Sequence, residues 1–191
     1  MSSRAHRLAG VDFDDPNFER RAYDKELAYA ESKSAGILLT VALDCIGQRN
    51  AIRAFAVHPG LVPHARGTVG TALFRLFAGF AVKPVKDENG KPVKGGKPFF
   101  KSVPQGAATA VWCAVSPQLD GMGGVYCEDC DIAAAVPADS KNEKGVRPWA
   151  IDPALAQRLM NMCKQYTGVP FPMAGEEFSP SEAEIIHHKE P

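Results

Sequence analysis

Residues 24–60 read DKELAYAESKSAGILLTVALDCIGQRNAIRAFAVHPG, and the fold class turns on them. Leu27, Ala30, Ser34, Leu38, Val41, Ala42 and Cys45 recur at steps of three and four. That spacing predicts a helix from Asp24 to about Arg49 with one buried face, and Gly47 lies near its end. The next run, AIRAFAV at 51–57, is short and mostly apolar and is cut off by His58-Pro59-Gly60. A short apolar run after a long helix, ended by Pro-Gly, predicts a buried strand of a parallel sheet. Ile52, Ala54 and Ala56 oppose Phe55 and Val57, so both faces ask for cover, and Arg53 is the only charge.

Upstream, residues 1–23 are polar, and Asp12, Asp14, Asp15 and Pro16 break any period. Downstream, residues 68–82 predict a helix with Val69, Leu73, Leu76, Phe77 and Phe80 on one side and Phe74 and Ala78 on the other. Residues 83–98 hold many Lys, Gly and Pro residues and predict an exposed connection, with Asn89-Gly90 able to turn a small hairpin. Ser102 followed three residues later by Gln105 is a capping box, opening a helix to about Val115 that Ser116-Pro117 closes. Gly123 to Cys127 is a candidate second strand. Asp152 and Pro153 cap a helix to Thr167, with Leu155, Leu159, Met162, Cys163 and Tyr166 as its apolar stripe and Gly168 after its end. A polar tail follows from Pro170. The order helix, strand, helix, helix, strand, helix is α/β, with fewer strands than the roughly five or six usual in a doubly wound domain.

The chain has 191 residues, the length of one ordinary domain. Its 22 basic and 22 acidic side chains cancel, which argues against a nucleic-acid binder and against a polybasic membrane-surface protein. With 45% hydrophobic and 23% charged residues it is globular. The longest nearly apolar stretch, Thr71 to Val82, contains Arg75 and is too short to span a bilayer, and no signal segment opens the chain. A cytoplasmic protein with no membrane partner is the expectation. In that setting the five cysteines are expected as reduced thiols. Cys127-Glu128-Asp129-Cys130 is a single C-x-x-C, and zinc would need two more ligands. His58, His64, Cys113 and Cys163 show no metal spacing, and His187-His188 reads as solvated tail, so no metal is expected.

Tyr29 and Lys33 stand at i and i+4 and project from one helix face. A tyrosine hydroxyl titrates near pH ~10 and is a poor base at neutrality, whereas a nearby ammonium favours the phenolate. Taken alone, such a pair also occurs on many solvated helices. Here Tyr29-Ala30-Glu31-Ser32-Lys33-Ser34-Ala35 is followed by a strand and His58-Pro59-Gly60, and preceded by Ser2-Ser3-Arg4-Ala5-His6. In this the chain resembles the short-chain dehydrogenase/reductase family. The stretches DDPNFERRAYDKELAYAESKSA, QGAATAVWCAVSPQLDGMGGVYCEDCDIA and RPWAIDPALAQRL are similar to its branch of retinol-dehydrogenase-like and related bacterial oxidoreductases. The resemblance covers residues 1 to about 170, leaving 171–191 as a polar tail.

The resemblance implies hydride transfer between NAD or NADP and a small-molecule alcohol or carbonyl. Tyr29 would be the general acid/base. Lys33 would hold the nicotinamide ribose and lower the Tyr29 pKa, and Ser3 would hydrogen-bond the substrate oxygen. The backbone at Pro59 and Gly60 would border the nicotinamide, and the helix near Leu73 to Phe80 would form a substrate lid. Two departures stand out. The family often carries a threonine a few residues after Pro-Gly, and His64 falls there. The family's first half, a βαβ unit with a glycine-rich phosphate loop, has no counterpart in this sequence. The expectation is therefore a partial Rossmann-like α/β domain, 1–170, lacking the N-terminal dinucleotide-binding half. Two functional readings compete: an oxidoreductase inactive without that half, or a non-catalytic protein that binds full-length relatives through the Tyr29 helix. Either way a homo-oligomer or a complex with a relative is expected.

Overall fold

A computed structural model of the chain describes residues 1–62 and 100–169. Helix α1 runs Lys25–Gly47, and the Asp24 carboxylate caps it by accepting from the Glu26 and Leu27 N–H groups. Its buried face carries Ala30, Ser34, Ile37, Leu38, Val41 and Ala42. Past Gly47 the chain tightens into a 3-10 turn, Gln48–Asn50, and reverses at Ala51, which adopts the left-handed conformation at φ 56°. The Ile52 N–H then returns to the Gly47 carbonyl at 2.9 Å.

That reversal uses residues expected in the first strand. Strand β1 is Phe55–His58, not 51–57. The cause is Asp44, a buried carboxylate near the end of α1. It accepts from Arg53 Nε at 2.9 Å and Nη2 at 2.8 Å, and from the Ala54 N–H at 2.9 Å. Residues 53 and 54 are thus tied back to α1 before any ladder begins. Gly123 lies against the same carboxylate, where a Cβ would come within 1.8 Å of Asp44 Oδ1, so only glycine fits.

Strand β2 is Val125–Glu128, starting later than expected because Gly124 takes φ 70°. It pairs parallel with β1 in the register Phe55↔Val125 to His58↔Glu128. A two-residue turn, Asp129-Cys130, sends the chain into β3, Asp131–Ile132, antiparallel to β2. Both turn residues are left-handed, at φ 54° and 60°, and no Asn-Gly or Asp-Gly pair announces them. The sheet order is β1-β2-β3. Helix α2, Val103–Val115, opens with the full capping box of Ser102 and Gln105. A short helix α3, Pro148–Ile151, which the sequence did not suggest, precedes α4, Pro153–Thr167. Asp152 caps α4 through the Ala154 and Leu155 N–H groups, and left-handed Gly168 ends it.

α1 has apolar neighbours on two sides. Leu38, Val41, Ala42 and Ile46 pack with Ala156 and Leu159 of α4. Ile37 packs with Ala56, Tyr126, Ala133, Val146 and Ala150, joining α1 to the sheet and α3. Leu27, Cys163 and Tyr166, expected on buried stripes, are exposed, since they lie near helix ends beyond these clusters. Upstream of α1 the irregular segment is pinned. Asp15 accepts from the Glu19, Arg20 and Arg21 N–H groups, and Arg21 forks onto Glu31 of α1 with two bonds of 2.7 Å. The expected helix 68–82 with its lid, the connection 83–98, His64 and the tail from 170 lie outside the described residues.

Candidate active site

β1 and β2 run parallel, so their carboxyl ends open on one edge, where α/β sheets bind ligands. Ser2 organises this edge. Its N–H donates to the Val57 carbonyl at 2.8 Å, and its hydroxyl donates to the Lys33 carbonyl at 2.8 Å. One buried residue therefore joins the end of β1 to the middle of α1. Ser3 follows in extended conformation (φ −156°, ψ 154°) and caps the 3-10 turn Arg4–Arg7, its Oγ accepting from the Ala5 N–H at 3.2 Å.

Tyr29 and Lys33 lie one turn apart on α1, with Lys33 Nζ 5.1 Å from the centre of the Tyr29 ring. Tyr29 is 51% exposed. Ser3, Lys33 and the end of β1 are thus held in one neighbourhood through Ser2, with Tyr29 under the Lys33 ammonium. Pro59 and Gly60 continue from β1, and Gly60 is left-handed at φ 83°. A Cβ on Gly60 would meet the Lys101 stem at 2.7 Å, so the side chain of Lys101 lies directly over this glycine. The Lys101 N–H also donates to the Leu61 carbonyl at 2.9 Å.

Sequence reasoning missed a polar cluster beside these residues. Arg4, next to Ser3, pairs through Nε with buried Glu128 at 2.5 Å and through Nη2 with Asp129 at 3.1 Å. Glu128 also accepts from the Gly145 N–H at 2.9 Å. Lys101 and Lys144 join Asp129 at 2.7 and 3.1 Å. The hydrogen bond from Lys101 holds the Asp129 carboxyl well below the ordinary carboxylate range, with Lys144 adding to it. His58, buried at the end of β1, is pushed down to about 4 by burial, helped by the charges of Arg4 and Lys101. Its Nδ1 has no hydrogen-bond partner among the described residues. His6 is also pushed down to about 4 by burial. The signal in the sequence was the acidic run Glu128-Asp129 closing an apolar strand, where a charge needs a buried partner.

A groove of about 640 Å³ lies on the other face of β1, lined among others by Phe55, Val57, Ala110, Cys113, Pro117 and Leu119. It includes none of the five residues singled out for chemistry. Among the described residues no group of three or more His, Cys, Asp and Glu could hold a metal ion, and no helix is long and apolar enough to cross a membrane. Among the described residues the five cysteines form no disulfide.

No family model matches the chain. It is 38% identical over 166 residues to a protein from Streptomyces lividans named probable oxidoreductase, an alignment covering 83% of this chain and 51% of that one. Over 171 residues it is 31% identical to the human WW domain-containing oxidoreductase, covering 84% and 37%. Over 154 residues it is 29% identical to human retinol dehydrogenase 12, covering 79% and 42%. The chain spans about half the length, or less, of the curated relatives it matches. A solved structure from Mycobacterium paratuberculosis aligns with a TM-score of 0.47 at 20% identity, covering 90% of this chain and 50% of that one.

Proposed function

We propose that the chain, similar to proteins named oxidoreductase and retinol dehydrogenase, belongs to the short-chain dehydrogenase/reductase family and carries the catalytic residues of an NAD- or NADP-dependent oxidoreductase acting on a small alcohol or carbonyl. The observation that supports this reading is the double anchorage of Ser2, to Val57 and to Lys33, beside a Tyr29 that the Lys33 ammonium overlies.

When bound, the nicotinamide supplies or accepts the hydride. The chain's own residues do the rest. In reduction the Tyr29 hydroxyl donates a proton to the carbonyl oxygen, and in oxidation the reverse transfer runs from the alcohol. Lys33 stabilises charge on the Tyr29 oxygen and offers its Nζ to the nicotinamide ribose. Ser3 Oγ already accepts from the Ala5 N–H, which leaves its hydrogen to donate to the substrate oxygen. Pro59 and Gly60 border the nicotinamide. These residues fit the nicotinamide end of the cofactor: Tyr29 is open to solvent, and Gly60, left-handed beneath the Lys101 stem, continues from the end of β1. The pyrophosphate would fall to a glycine-rich loop of the kind found in the family's other half.

The test is turnover with a panel of aldehydes and ketones, assayed with the chain alone and with the N-terminal half of the Streptomyces lividans relative added. Tyr29→Phe should lower kcat by about 10²–10⁴-fold while cofactor affinity stays nearly constant. Near-normal rates for Tyr29→Phe, or no turnover in either setting, would refute the reading.

A further inference from the structure

His6 stands three residues after Ser3 and has no exposed surface. Its ring makes two hydrogen bonds of opposite sense. Nδ1 lies 2.8 Å from the Ser3 carbonyl, and Nε2 lies 3.3 Å from the Arg147 backbone nitrogen. A carbonyl can only accept and a backbone N–H can only donate, so the ring proton sits on Nδ1 and Nε2 is the acceptor. The ring meets Tyr126 of β2 edge-to-face at 4.8 Å.

The backbone of His6 is equally constrained. Its carbonyl accepts from Trp149 Nε1 of α3 at 2.9 Å, and Ser34 Oγ of α1, which donates to the Ala9 carbonyl at 2.6 Å, lies 3.3 Å from the same carbonyl. Ser34 directly follows Lys33, whose own carbonyl holds Ser2. The residue is therefore fixed from α1, from β2, from the start of α3 and from its own turn. Packing alone does not ask for an imidazole there, because a phenyl ring of similar size could stack on Tyr126 without burying polar atoms. What the imidazole adds is an acceptor for the Arg147 N–H and a second donor to the Ser3 carbonyl, which already accepts the His6 N–H at 3.1 Å. With its carbonyl gripped twice and its Oγ accepting from the Ala5 N–H, Ser3 is held at backbone and side chain while its hydroxyl hydrogen stays available to donate.

We propose that His6 is a positioning residue for Ser3: anchored at Nε2 by the Arg147 N–H, it holds the Ser3 carbonyl through Nδ1 and so aims the Ser3 hydroxyl at the substrate oxygen. The inference rests on the reading of Ser3 as the donor to that oxygen. Aiming a donor is worth a large factor, since a misplacement of about 1 Å at a reacting centre can cost about 10²-fold.

The experiment compares His6→Asn, His6→Gln and His6→Phe in the full chain. The asparagine amide nitrogen reaches the place of Nδ1 and should keep the Ser3 bond, while glutamine reaches the place of Nε2 and phenylalanine bonds nothing. NMR should find the wild-type ring neutral with its proton on Nδ1. The Ser3 carbonyl carbon signal should stay near wild type in His6→Asn and shift in the other two. In the turnover assay His6→Phe should lower kcat by about 10- to 100-fold. Within a Ser3→Ala background it should have almost no further effect, because the two act as one unit. A wild-type ring protonated at Nε2, an unchanged Ser3 carbonyl signal in His6→Phe, or equal losses in both backgrounds would overturn the proposal. If His6→Phe does not fold, rescue by glutamine equal to that by asparagine overturns it. If Ser3→Ala leaves turnover intact, the reading of Ser3 as a donor fails by itself, and the Ser3 carbonyl signal still decides whether His6 holds it.

Discussion

Acid should unfold this protein through two imidazoles. Burial pushes His6 from 6.5 down to about 4, opposed by its hydrogen bond to the Ser3 carbonyl and aided by the charges of Arg147 and Arg7. Burial likewise lowers His58 to about 4, aided by Arg4, Lys101 and His6 and opposed by Asp129. In the unfolded chain both rings titrate near ~6.5. Between those values the unfolded state binds protons that the folded state refuses, so stability is whole above about pH 6.5 and falls as the pH drops toward 4. At pH ~5 each ring costs the fold about 2 kcal/mol relative to neutrality, and the pair about 4 kcal/mol. Between about pH 5 and 6 the slope is about 2 kcal/mol per pH unit, a large share of a typical stability of roughly 5–15 kcal/mol. Urea unfolding followed by circular dichroism at a series of pH values measures it. His6→Asn and His58→Gln should each remove about half of the slope, and the double variant nearly all of it down to the range where carboxylates titrate. Carboxylates act equally in all four proteins, so the differences isolate the imidazoles. Parallel losses in the wild type and the double variant would refute the reasoning.

Asp44→Ala should destabilise by about 2–3 kcal/mol in the same assay, because it removes the acceptor of Arg53 Nε and Nη2 and of the Ala54 N–H, leaving the guanidinium only the Gly121 carbonyl. Gly36→Ala should stabilise by roughly 0.5–1 kcal/mol, since the position is inside α1 and a Cβ would meet nothing closer than the Met1 carbonyl at 3.9 Å. Cys130→Gly should raise the melting temperature by relieving a left-handed residue worth about 1 kcal/mol, while the Cys130 N–H bond to Thr109 persists through the backbone. Ser102→Ala should cost about 1 kcal/mol by uncapping α2, and thermal unfolding reads it directly.

The helices were legible because their signals are local. Asp24, the Ser102–Gln105 box and Asp152-Pro153 name three N-termini, and Gly168 names one end. The first strand was read too long because Ala51 and Ile52 have the composition of a strand, and only the reach of Asp44 to Ala54 takes them out of it. The hairpin at Asp129-Cys130 was missed because left-handed backbone there is held by tertiary contacts, including Arg4, Lys101 and Lys144 on Asp129, and not by turn-forming residues. In the candidate site, Tyr29 and Lys33 were visible from spacing, whereas Ser3, Pro59 and Gly60 needed the family resemblance. His6 stood in the segment that carries the resemblance, but no spacing marked a role for it. Its partners Arg147 and Trp149 lie 141 and 143 residues away, a separation at which no periodicity reaches.

The short reach of Asp44 has a kinetic consequence. Its bonds to Arg53 and Ala54 close loops of 9 and 10 residues, whereas Arg4 finds Glu128 across 124. Loop-closure entropy makes the longer connection dearer by about 2 kcal/mol, so the helix–turn–strand unit is expected to be ordered in the folding transition state before the Ser3 turn docks. Substitutions at Asp44 should then slow folding, and substitutions at Glu128 or His6 should mainly hasten unfolding. The region proposed for chemistry would be the last to assemble and the first to open, so partial opening that disarms Ser3 precedes loss of the core.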